Sequence, residues 1–176
     1  MREFRSFGAF AEHLLVREAA VVAAWHEVLE PIGAAVAKTA RAKIGEYQSA
    51  EGPFPAWEPL AESTVEDRIA RGYAPDEPLL RTGELQDSIS HAVEGLEAAV
   101  GSTSEIAVYQ ELGTERMPPR PFLGPAVYQH ARQIVEALGA VTVNGLTGQR
   151  LIHDPIGYQG EFRESAIGLE NEAATG

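Results

Sequence analysis

Apolar residues Phe10, Leu14, Val21, Trp25, Val28, Ile32, Val36, Ile44 and Tyr47 fall at helical spacing along the first fifty positions, which predicts a long amphipathic helix whose apolar face needs a partner. Pro31 lies inside this pattern, where it either kinks one helix or opens a second at its first turn; two segments, roughly 7–29 and 31–47, are the reading taken. Residues 48–59 carry Gly52, Pro53, Pro55 and Pro59 around Phe54 and Trp57, an ordered loop whose aromatics pack down on the core. Glu62 to Arg68 reads as a helix start with Ser63 or Thr64 as cap, closed by Gly72. Leu79 to Leu85 gives a short apolar step, a turn with Gly83 at positive φ capped by Thr82, and one helical turn.

From Ile89 the period shifts towards two. Ile89–Val93, Ala98–Gly101 and Ile106–Tyr109 are expected as three short strands of an antiparallel meander. Pro118, Pro119, Pro121 and Pro125 exclude a central strand from the next stretch. Helical spacing returns over Val127–Leu138, and Val141–Val143 reads as a strand before a flexible acidic end. The fold class predicted is α+β: a long N-terminal and a shorter C-terminal helix on a small antiparallel sheet, with a proline-rich arm. Residues 1–140 form the domain and 141–176 an extension.

At 176 residues, 44% of them apolar, the chain is long and apolar enough to bury a core without metal or disulfide. There is no cysteine, which removes disulfides, thiolate metal sites and a cysteine nucleophile. Glu12, His13, Arg17 and Glu18 interrupt the first helix where a signal peptide would be apolar, and no stretch is expected to reach a bilayer-spanning length. The chain is thus read as soluble, made in the cytoplasm, and without membrane contact. The net charge of -12 argues against a dedicated nucleic-acid binder, which needs basic side chains for phosphates. The acid is concentrated: residues 51–100 hold three basic against eleven acidic side chains.

No phosphate-binding GxxxxGK[ST] or GxGxxG, no HExxH and no GxSxG is present. The five histidines, His13, His26, His91, His130 and His153, share no ligand spacing. Acid pairs such as Glu66 and Asp67, or Glu111 and Glu115, are expected by chance among 26 acidic residues, and nothing places two across a pocket. The sequence predicts neither catalytic residues, nor a metal site, nor a cofactor.

The informative stretch runs from Trp57 to Ala126. It contains Trp57-x-Pro59-Leu60, then Ser63-Thr64 and Arg68, then Leu79-Leu80-Arg81-Thr82-Gly83-x-Leu85-x-x-Ser88-Ile89, then Val100-Gly101-Ser102. Glu111-Leu112-Gly113-Thr114 follows, and closely after it Met117-Pro118-Pro119-Arg120-Pro121-Phe122-Leu123-Gly124-Pro125-Ala126. This ordered set resembles the tailed-phage virion morphogenesis proteins of the neck and tail-completion type. The likeness covers roughly residues 35–138, the first thirty residues matching only as a generic helix.

The resemblance implies a non-enzymatic α+β subunit of the virion, found in a homo-oligomeric, commonly sixfold ring at the head-to-tail junction. Its partners would be a connector or head-closure protein and a tail-tube protein, with DNA passing through the lumen unbound. The alternative of another class is an adaptor or regulatory domain acting through the aromatic and proline-rich loops. Expected interface residues are Phe54, Trp57, Met117, Pro119, Arg120, Pro121, Phe122 and Leu123. Two readings of 117–125 compete: an arm stiffened by proline that docks on a neighbour, losing little entropy as it does so, with Phe122 and Leu123 as anchors and Arg120 as latch, or an internal loop whose Phe122 fills its own core. The acidic stretch likewise either serves solubility alone or lines the lumen and repels phosphate.

Overall fold

A computed structural model describes residues 5–147 of the chain. In order these form α1 (Phe7–Ala42), α2 (Glu62–Ala70), α3 (Glu84–Asp87), β1 (Ile89–Glu94), β2 (Glu97–Ser102), α4 (Glu105–Leu112) and α5 (Leu123–Thr147). The two strands pair in one small antiparallel sheet, and the class is α+β as the pattern predicted. The chain divides into two compact units: residues 1–32, 93–98 and 132–176 in the first, residues 33–92 and 99–131 in the second.

The predicted break at Pro31 does not occur, and α1 continues through it as one helix of 36 residues. A proline inside a helix removes a backbone bond and costs about 3 kcal/mol. Val28, Leu29, Ile32 and Val36 are all buried on either side of it. At roughly 1.5–3 kcal/mol for each buried aliphatic side chain, the apolar face outweighs the proline. Val28, Ile32, Val36 and Ile44 of the predicted stripe are buried, with Ala24 and Ala40 at the same four-residue spacing, whereas Phe10, Leu14 and Tyr47 at its ends are exposed. The helix stops at Ala42, short of the expected 47.

α1 also corrects the expectation about bilayer-spanning length. By length and composition it could cross a membrane, with a window of mean hydropathy 1.3 that is one-third buried within the protein. Glu27 and Glu30 lie near its middle, where hydrocarbon would penalise a charge by a few kcal/mol. Its buried apolar positions run from Ala24 to Ala40, while Phe7, Leu14, Leu15 and Val16 towards its start are exposed.

Among the described residues of the first unit, Ala24, Val28, Leu29 and Ile32 of α1 and Ala137 and Val141 of α5 are the buried apolar ones, and the indole N–H of Trp25 donates to Thr142 Oγ1 at 2.9 Å. Val141–Val143, expected as a strand, is therefore helix. The four-residue spacing of Ala137 and Val141 on the buried face carries α5 past Gly139, which a sequence reading treats as a stop. The remainder of the expected extension, from residue 148, lies outside the described residues.

In the second unit Val36, Ala37, Ala40, Ile44, Trp57, Leu85, Ile89, Ala107, Phe122 and Ala126 make the core. The third expected strand, Ile106–Tyr109, is instead the middle of α4. Four apolar residues in a row carry no period of their own, and Ser104 in an extended conformation with Glu105 in the first turn starts a helix there. Ala61 rather than Ser63 or Thr64 precedes α2, with no side-chain cap, while Gly83 has the positive φ predicted, at 88°.

Because Pro31 sits inside α1, Pro31→Ala should raise unfolding stability by about 1–3 kcal/mol in urea titration. A helix that ended at residue 30 would give no gain.

Candidate functional site

The site is built on the junction between α4 and α5 in the second unit. A helix leaves its first four N–H groups without intrahelical partners. In α5 all four are accounted for. The carboxylate of Glu111 accepts the N–H of Phe122 at 2.8 Å, of Leu123 at 3.0 Å and of Gly124 at 2.7 Å. The fourth position is Pro125, which has no N–H. A negative charge at the positive end of the helix dipole adds to these bonds.

The chain between Glu111 and Phe122 is folded to make that reach possible. Gly113 has φ 72°, and a Cβ there would come within 2.9 Å of the Met117 carbonyl oxygen and the Pro119 nitrogen, both backbone atoms that cannot swing away. Thr114 and Met117 close a tight turn by exchanging backbone bonds. Gly124 is needed for a different reason: a Cβ would meet the Phe54 ring at 2.7 Å and Glu111 Oε1 at 3.1 Å.

The residues of the proline-rich stretch are then fastened to the loop before α2. The Trp57 indole N–H donates to the Pro121 carbonyl at 3.1 Å, the Arg120 N–H to the Gln110 carbonyl at 2.6 Å, and Arg120 Nη2 to the carbonyls of Glu58 and Pro59 at 3.1 and 3.3 Å. Arg120 is only 6% exposed and Phe122 is completely enclosed. The Phe54 ring lies edge-on to Tyr128 with centroids 6.3 Å apart.

Of the eight residues expected at an interface, Trp57, Arg120, Pro121 and Phe122 are therefore enclosed by their own chain. Phe122 fills its own core, which is the second of the two readings of 117–125. Pro119 is exposed, and Phe54, Met117 and Leu123 are half-buried, so these four retain surface for a neighbour.

Beside this junction lies a cleft of about 730 Å³ whose wall includes Arg68, Arg81, Gln110, Arg116, Met117 and Arg120. Arg68, 5% exposed, donates to the carbonyls of Ala74 at 2.6 Å and Leu80 at 2.5 Å. Leu79 in the same wall holds φ 66°, the one non-glycine residue with positive φ among those described. Arg81 pairs with Asp67 at 2.5 Å and lies over the Tyr73 ring. Nε of Arg120 and Oε1 of Gln110 are buried there with no hydrogen-bond partner.

α4 presents three faces. Ala107 and Glu111 turn inward, Ile106 and Gln110 border the cleft, and Val108, Tyr109 and Leu112 are outward, with 56%, 53% and 74% of their surface exposed. Sequence reading missed this outward stripe because it assigned the segment to a strand. The helical step between 105, 108, 109 and 112 was the available signal.

With this geometry in place, comparison with known proteins is decisive at the level of the family. The family model described as the phage virion morphogenesis family matches residues 10–141, well over half of the chain. The chain belongs to the phage virion morphogenesis family. The match takes in α1 almost from its start, so the likeness extends well beyond the 35–138 read from the motifs. No curated protein and no solved structure matches. Membership of the phage virion morphogenesis family gives the chain a structural or assembly role in the phage virion.

Glu111→Ala should cost about 2–3 kcal/mol of stability, since it strands three N–H groups at once, and Glu111→Gln less, since one acceptor remains. Glu115→Ala, three residues past the end of α4 and exposed, should stay within about 0.5 kcal/mol of wild type. Chemical denaturation of the three variants checks the order.

Proposed function

We propose that this family member is a non-enzymatic subunit of a ring at the head-to-tail junction, in a neck, tail-completion or tail-terminator layer. A connector or head-closure protein adjoins one side and a tail-tube protein the other. The observation that carries the reading is the outward stripe of α4, a set of large apolar side chains held on one helix and left exposed among the described residues. Such a patch on a virion assembly protein is best explained as a contact surface, because exposed contiguous apolar area marks interaction sites.

Two further features support the reading. The half-buried Glu111 and the buried Arg120 of the motif are engaged with backbone groups and so serve the fold rather than chemistry. The net charge of -12 suits a ring through which DNA slides, since an acidic lumen repels phosphate and leaves transit free.

The test is a phage in which this chain is deleted. The expected particles are filled heads and finished tails that do not join, and restoring the chain should add a ring of density at the junction by electron microscopy. Joined, infectious particles without the chain, or density at another place in the virion, would overturn the junction assignment and favour an adaptor role.

A further inference from the structure

The outward stripe of α4 and the cleft beside it have complementary chemistry, and they lie on the same chain. We infer that the stripe Glu105, Val108, Tyr109, Leu112 of one copy seats in the arginine-walled cleft of the next copy, giving a heterologous contact that repeats from subunit to subunit. This rests on the ring proposed above and specifies which surfaces close it.

Shape and area argue first. The stripe leaves more than half of Val108, Tyr109 and Leu112 exposed, an apolar patch of three large side chains. A standard interface takes about 800 Å² from each partner. A helix face lying on a flat surface would fall short of that, whereas one seated in a cleft of about 730 Å³ is wrapped on several sides.

Charge argues second. The cleft wall carries Arg68, Arg81, Arg116 and Arg120 against Glu58 and Glu84, and of the four Arg81 is already paired with Asp67. Arg68 and Arg120 are more than nine-tenths buried, and the bonds described above take them to neutral carbonyls, which leave their charge in place. A buried cation normally has a carboxylate near it. The exposed stripe supplies acid at its edges: Glu105 opens α4, and Glu115 follows Leu112 on the turn. An acid-edged apolar ridge thus meets a base-walled cleft, and the match is between different patches of one chain, as a closing ring requires.

Symmetry argues third. Ile106 and Gln110 of the same helix border the cleft, so a subunit that receives a neighbour's stripe on one flank of α4 still presents its own stripe on the other. Each copy can be donor and acceptor at once.

The chain has no cysteine, so cross-linking has no background. Leu112→Cys is placed on the stripe and Thr82→Cys on the exposed cleft rim, singly and together, and assembled particles are treated with a short bis-maleimide. Circular dichroism and incorporation into particles confirm that each variant folds. The double variant should give a ladder of dimer, trimer and higher species, and either single variant alone should give none. Leu112→Asp should release subunits as folded monomers under conditions where wild type is oligomeric. Dimers from Leu112→Cys alone would show a stripe-to-stripe contact and overturn the inference. So would a ring visible by microscopy with no ladder, an outcome that leaves the junction reading intact. Particles that hold no multi-copy ring would overturn both.

Discussion

The second unit is organised around one carboxylate. Glu111, at the end of a helix of eight residues, accepts every N–H that α5 has to offer at its start, and Pro125 removes the only other one. That arrangement sets the distance between α4 and α5. It also forces the chain between them into a turn so tight that residue 113 must lie at positive φ with no Cβ. Phe122 is held at the mouth of α5 and driven into the core, and Pro121 and Arg120 are brought against Trp57, Glu58 and Pro59, some sixty residues away in sequence. The stretch from Glu111 to Gly124 is, physically, a helix cap and its supports.

This division of labour explains why α4 looks as it does. Its inward residues, Ala107 and Glu111, fix it to the body of the unit, and Gln110 meets Arg120 through the backbone. Nothing in the fold then needs Val108, Tyr109 and Leu112, yet they are large and apolar. Water penalises such a surface, and the contact proposed above would cover it. The residues of this short element that hold the fold together are thereby distinct from those that leave apolar surface exposed.

Much of the architecture was legible in the sequence. The recurrence of Val28, Ile32, Val36 and Ile44 at helical spacing gave the long helix, Gly83 its left-handed turn, and the alternation after Ile89 the hairpin. Pro31 inside α1 and Gly139 inside α5 share one physical cause, the override of a local signal by packing, whereas the apolar run Ile106–Tyr109, read as a strand, has no period of its own and becomes helix. The Pro119–Leu123 motif was visible too, but its direction was not. Whether Phe122 points into its own core or towards a neighbour depends on bonds from Trp57 and Glu111, and periodicity carries no information about them.

Hydrogen exchange on the free subunit and on assembled particles tests the account most directly, because it separates a clamp from a docking arm. The account predicts that the amides of Phe122, Leu123 and Gly124 are equally protected in both states, while the segment Glu105–Leu112 gains protection on assembly. Amides at 122–124 that exchange freely in the isolated subunit and become protected only in the particle, with 105–112 unchanged, would contradict it.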